Sequence, residues 1–273
     1  MTEGALDVGT EAALVALALY PPFSAIDFWL HHEGPLFALQ ALVKSHELCS
    51  SARTVSNYGD PIFLRDGWDD AGHSPEYAEE GWRKLRQAVN AADEATYAKL
   101  RKTADELRPK APPVVQAWIA FAFAAERAWA DDAAKQVLAK LSEASGWCRF
   151  LVTVASVEHG VALARNKEWI FSEAQLLTLL AREGGAAAPV LFAALDAAPN
   201  NSARKTYAQL LAMVETEEVA RGFAAHLANK TVSPIAQKYF KRLPELAKRA
   251  LQPLADKGGA QAIAVKTVLA SLG

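Results

Sequence analysis

Asp69, Asp70 and His73, with Trp68 beside them, place two carboxylates and an imidazole within five positions, a set that could hold a divalent cation. Such a site needs three or four ligands of fixed geometry. The remaining ligands are not evident, so the cluster reads as a solvated acidic loop leading into a helix cap at Ser74. His31, His32 and Glu33 form a second cluster, but consecutive helical residues point to different sides, unlike the i,i+4 histidines of a zinc helix. They read as the C-terminal turn of a helix ending at Gly34. Nucleophilic catalysis needs a serine or cysteine activated by a base, and the chain has no G-x-S-x-G turn. Cys49 and Cys148 read as small buried hydrophobes. A P-loop and a dinucleotide fingerprint are both missing. The expectation is a protein with no catalytic residues, no cofactor and no metal.

Chemistry of recognition is better represented. Residues 50–74 carry Tyr58, Phe63 and Trp68 among Asp60, Asp66, Asp69 and Asp70, aromatic anchors mixed with charge in a stretch that lacks helical periodicity. Tyr58, Phe63, Trp68, Asp69 and Asp70 are therefore one candidate interaction surface. A second lies further on, where Ile235, Ala236, Tyr239 and Phe240 define an apolar stripe and leave Lys238, Lys241 and Arg242 opposite it. The next helix adds Lys248 and Arg249. That basic face is either a binding patch or the solvated side that keeps an alanine-rich array soluble.

The elements that must carry these residues are helical. Apolar residues recur at three and four spacing along most of the chain, with capping residues at Thr10, Ser24, Ser74 and Ser172 before such runs. Breaks fall at 21–22, 59–61, 109–113, 184–185, 199–201 and 258–259, where proline, glycine and asparagine collect. The tryptophans at 29, 68, 82, 118, 129, 147 and 169 stand mostly at helical spacing and read as core anchors, Trp68 excepted. The C-terminal third shows a repeat of about 28 residues: Ala208-Gln209, Ala236-Gln237 and Ala264-Val265 recur in step, and Val219-Ala220 answers Leu246-Ala247. The expected fold is all-α, a HEAT-like helical-repeat α-solenoid with a less regular helical N-terminal part. Residues 1–110 are expected to form that N-terminal region, with an exposed loop near 50–74, and residues 111–273 the repeats, continuous with it.

The chain has 273 residues and a net charge of −2, 51% of it hydrophobic, which excludes a largely disordered protein. The near-neutral total hides a gradient, with 3 basic and 13 acidic side chains in residues 1–80 against 10 and 5 in residues 200–257. A protein living on nucleic acid is expected to be strongly basic, so any such contact must be local. The apolar runs at 12–19 and 111–125 fall short of the roughly 20 residues a membrane span requires, so no membrane partner is expected. Two cysteines without a secretory start point to the cytoplasm.

On these residues the sequence resembles the MolR family, large bacterial proteins that often carry an N-terminal WGR domain. The likeness rests on Asp27-Phe28-Trp29 leading to the segment 34–42, on Gly81-Trp82-Arg83-Lys84-Leu85-Arg86, and on the helix 97–108. It continues through Ala187-Ala188-Pro189-Val190-Leu191, Leu195-Asp196 and the segment 232–254. It covers the helical, repeat-bearing middle of that family, and no WGR module is visible. The resemblance implies an intracellular scaffold and establishes no catalytic residues.

The function expected from sequence is thus a non-catalytic helical-repeat scaffold or protein-interaction module with an unidentified protein partner. The alternatives are a nucleic-acid-binding helical-repeat protein of DNA glycosylase-like architecture, and a partner-specific inhibitor or immunity-type protein whose acidic first 80 residues complement a basic target.

Overall fold

The computed structural model describes residues 23–51, 53–55, 61–63, 75–139, 146–167, 169–257 and 259–272. The described residues are helical apart from one short strand pair, and the chain divides into two compact units, residues 1–148 and 149–273.

In the first unit, α1 (Phe23–Phe28) runs into a π-turn over Trp29–Glu33 that stops at Gly34, whose φ of 85° lies in the region glycine favours. α2 (Pro35–Ser51) follows, then α3 (Pro75–Ala91), α4 (Glu94–Leu107), α5 (Pro113–Ala122) and α6 (Arg127–Ala139). α4 begins where the Asp93 carboxylate accepts the Thr96 N–H at 2.7 Å, which holds that carboxyl below its ordinary range. α3 packs on α1, α2 and α5, and α5 packs on α6. The core between them is aromatic: Trp82 and Trp118 stack at 6.3 Å and 8°, Trp118 meets Phe121 edge-on, and Phe123 lies against Trp129.

Residues 50–74, expected as a loop, carry more structure than that. α2 persists to Ser51, and β1 (Arg53–Val55) pairs antiparallel with β2 (Pro61–Phe63) in the register Arg53 with Phe63 and Val55 with Pro61. Both triplets contain β-branched residues and flank a Gly59-Asp60 turn signal, which is strand chemistry too short to show as periodicity. Near residue 110, where the sequence suggests a change of region, the helices on either side pack together. Pro109 lies in a 3-10 turn and Pro113 is the first residue of α5, so the prolines start elements rather than form a linker. The Trp82–Trp118 stack and the 2.6 Å pair of Arg101 with Glu126 both cross that point.

The second unit opens with a 3-10 turn ending at Thr153 and continues through α7 (Val157–Ala164), α8 (Glu173–Glu183), α9 (Ala188–Ala197) and α10 (Asn201–Leu211). α11 (Glu217–Ala225), α12 (Ser233–Arg242), α13 (Pro244–Ala255) and α14 (Gly259–Ala270) complete it. Neighbouring helices alternate between two sets. α7, α9, α11 and α13 pack in succession, and α10 packs on both α8 and α12. Ser156, Ser172, Asn200 and Thr216 cap α7, α8, α10 and α11, with a reciprocal capping box between Ser172 and Gln175. The run Glu173–Ala197 is long and apolar enough to cross a membrane by composition, yet it is two helices broken by a 3-10 turn at Gly184 (φ 56°). Leu176, Leu179, Val190, Leu191 and Leu195 from it are buried within the unit.

Two buried tyrosines tie α10 and α12 to backbone before neighbouring helices. The Tyr207 hydroxyl accepts the Phe171 N–H at 2.8 Å, and Tyr239 donates to the carbonyls of Val214 and Thr216, 3.1 and 3.2 Å away. Burial pushes both phenols above the ordinary tyrosine value of about 10. With folded-state values raised, the unfolded chain releases these protons first as pH climbs, so their contribution to stability is intact below about pH 10 and is lost above it. Tyr239→Phe should cost about 1 kcal/mol at neutral pH through its hydrogen bonds. It should also flatten the fall of the melting temperature above about pH 10. An unchanged alkaline slope in the variant would contradict this assignment.

Candidate functional site

The basic helix face comes first, because the structure describes all of it. α12 presents Ala236, Tyr239 and Phe240 to the interior, with Lys238, Lys241 and Arg242 exposed, as the stripe pattern requires. Three of the five expected cations are already engaged. Arg242 donates to the Ala212 carbonyl at the end of α10, lies 3.7 Å from Glu215 and covers the Tyr239 ring at 5.7 Å. Lys248 pairs with Glu245 at 3.3 Å, and Arg249 reaches Glu217 at 3.6 Å. Lys238 and Lys241 form no ion pair among the described residues.

Of the loop candidates, Phe63 falls in β2, whereas Tyr58, Trp68, Asp69 and Asp70 lie outside the described residues, as does His73. His31 and His32 occupy the last turn before Gly34, and the His32 ring packs on Phe28 at 4.5 Å. Cys148 is fully buried. Trp29, Trp82, Trp118, Trp129 and Trp169 are buried, the core placement their spacing suggests.

Arrangements that look catalytic resolve into structural contacts. The Ser156 hydroxyl lies 2.9 Å from His159 Nδ1, a nucleophile beside a base, but the same oxygen caps α7 by accepting the His159 N–H. His226 and Asp196 form a tighter couple at 2.7 Å, bridging α11 and α9. The other ring nitrogen of His226 lies 2.8 Å from the Gly222 carbonyl, so both ring nitrogens are engaged within the chain. The ring stacks on Phe192 at 5.6 Å and 18°, which completes a clamp between the two helices. Among the described residues no group of three or more His, Cys, Asp or Glu side chains could hold a metal ion.

Sequence reasoning missed this clamp and a recurring arginine contact. Arg182 donates to the carbonyls of Thr153 and Ala155, Arg204 to Ala198, Arg242 to Ala212 and Arg149 to Ile170. Each satisfies a carbonyl that a helix end or turn leaves open. The nearest signal was an arginine close to a chain break, which by itself does not say whether it caps or binds.

In the first unit the same economy holds on a larger scale. Arg101 of α4 and Arg108 just after it both lie over the Trp129 ring, at 5.9 and 5.1 Å. Tyr97 and Arg101 share the Glu126 carboxylate. Burial, followed by that carboxylate, raises the Tyr97 phenol above its ordinary value.

Comparison with known proteins gives one family. The family model described as the YehI second domain matches residues 3–171, the first unit from residue 3 onward and the second as far as Phe171. No curated protein and no solved structure matches the chain.

Proposed function

The chain belongs to the YehI second-domain family, and from that premise we propose that it is a non-catalytic helical-repeat interaction module whose partner is another protein. One observation carries the reading. Helices of the second unit begin at 157, 188, 217 and 244 in one set and at 173, 201, 233 and 259 in the other, steps of 26 to 32 residues. Successive members of the first set pack on one another, and in the other set α10 packs on α8 and on α12, which is how stacked helix pairs bury a continuous core and leave long faces for binding. The MolR-like relation, the HEAT-like repeat and a cytoplasmic location are proposed with it, on the sequence features already given. The polar geometry supports a structural use of side chains: serine, threonine and asparagine cap helices, arginines cap carbonyls, and His226 clamps α9 to α11.

The test is site-specific photo-crosslinking in cells, with the reactive residue placed at Lys205 or Lys238 on one exposed face and at Glu218 on the other. A discrete protein adduct from one face and not the other is the expected result. Turnover in a broad substrate panel that disappears with His226→Ala, in a variant that still melts cooperatively, would overturn the non-catalytic reading.

A further inference from the structure

Resting on the interaction-module reading, we propose that the outer face of α8, α10 and α12 docks an acidic, amphipathic segment of the partner protein. The argument starts from which residues those helices leave outside. A helix flanked by neighbours and backed by the other set can expose only one stripe, and the exposed positions follow that rule at spacings of three and four. On α8 the stripe is Ala174, Leu177 and Ala181, with Leu177 38% exposed and no charge between them. α10 places Lys205 next to it, and α12 adds Lys238 and Lys241, one turn apart.

Exposed charge is distributed unequally between the two sets of helices, although Arg221 and Arg249 are exposed on the opposite one, each near Glu217. Glu173, in the first turn of α8, is the one acidic residue exposed on α8, α10 and α12. Each helix of the opposite set exposes an acid: Glu158, Asp196, Glu218 and Glu245. Most arginines of the same unit are engaged: Arg149, Arg182, Arg204, Arg221, Arg242 and Arg249 are held by carbonyls or carboxylates of this chain, whereas Lys205, Lys238 and Lys241, like Arg165, form no ion pair among the described residues.

An apolar strip beside three uncommitted lysines matches a segment that carries leucine-like residues on one side and carboxylates on the other. Apolar contact supplies affinity there, and the lysines supply orientation and association rate. Nucleic acid fits less well. Phosphate recognition favours arginine forks and stacking aromatics; no aromatic is exposed on α8, α10 or α12, and their one exposed arginine, Arg242, is held by the Ala212 carbonyl and Glu215.

Fluorescence anisotropy with a labelled peptide of three leucine–glutamate heptads tests the proposal on the full chain. Binding should weaken as salt is raised, and Lys205→Glu with Lys238→Glu and Lys241→Glu should weaken it by about tenfold or more without changing the melting temperature. Leu177→Ala should cut affinity by several-fold at unchanged salt dependence, a readout that bulk charge attraction does not move. Three results overturn the proposal: no peptide binding, binding indifferent to both the triple variant and Leu177→Ala, or tighter binding of a duplex DNA that the triple variant abolishes. If crosslinks from Lys205 and Lys238 persist while the peptide fails, the acidic-partner proposal falls and the interaction module stands. If crosslinks are lost as well, both fall.

Discussion

Trp82→Ala should destabilise the first unit by about 3–5 kcal/mol, read as a lower denaturant midpoint. Trp82 has no exposed surface, and its ring stacks on Trp118 across the α3–α5 contact. Trp118 in turn meets Phe121 edge-on, and Arg86 lies over the Phe121 ring at 4.7 Å, so the truncation opens a gap that several large groups border. Alanine cannot fill the space, and the neighbouring helices are themselves held elsewhere: Lys84 of α3 reaches Asp27 of α1 at 2.7 Å, and Leu42 sits within 3.5 Å of where a side chain at Gly81 would begin. Collapse is therefore restricted, which puts the cost at the upper end of the usual span for a large aromatic. Trp82→Phe keeps a ring against Trp118 and should recover more than half of the loss, including an aromatic contribution of about 0.5–1.5 kcal/mol. A penalty under about 1 kcal/mol for the alanine variant would mean that the stack is not the centre of this unit.

How far these features could be read from the sequence depends on the range of the interaction. Local chemistry was legible. The Ser172 cap is written in Ser172 and Gln175, three positions apart, and the buried α5 in the apolar run that follows Pro113. Tryptophan burial followed from size and spacing. Contacts between distant positions were not legible. Arg242 reads as a binding cation until Ala212 and Glu215 are brought to it from about a helix pair away, and Arg249 until Glu217 arrives. The proline-rich segment 109–113 reads as a break because proline both ends helices and begins them; only packing shows that here it begins one. The alanine rhythm suggests a repeat to the eye, and α10 and α12 also match through Tyr207 and Tyr239, the seventh residue of each helix. Small residues mark where helices can approach and large ones where they are pinned, and a chain rich in alanine shows the first more readily than the second.

Gly222 is the position where approach and pinning meet, and Gly222→Ala is expected to cost about 2–3 kcal/mol, near the top of the range for overpacked cores. A methyl group built there overlaps the Phe192 ring, with Cε1 at 2.7 Å and Cζ and Cε2 closer still. Substituting alanine for glycine inside a helix ordinarily stabilises by about 1 kcal/mol, so the clash must exceed that gain for the sign to reverse. It does so because the ring cannot retreat freely. Phe192 is stacked on His226 on one side and meets Phe223 edge-on at 6.0 Å, and His226 is fixed by Asp196 and the Gly222 carbonyl. Moving the ring breaks the clamp between α9 and α11. In a chain of this size the loss corresponds to a fall of roughly 5–10 °C in melting temperature. Phe192→Leu removes the atoms that the methyl meets, so the double variant should be more stable than Gly222→Ala alone, a coupling of about 1 kcal/mol or more in a double-mutant cycle. Equal or higher stability of Gly222→Ala, or strictly additive effects of the two changes, would show that the ring moves aside without cost and that the clamp does not fix the spacing of these helices.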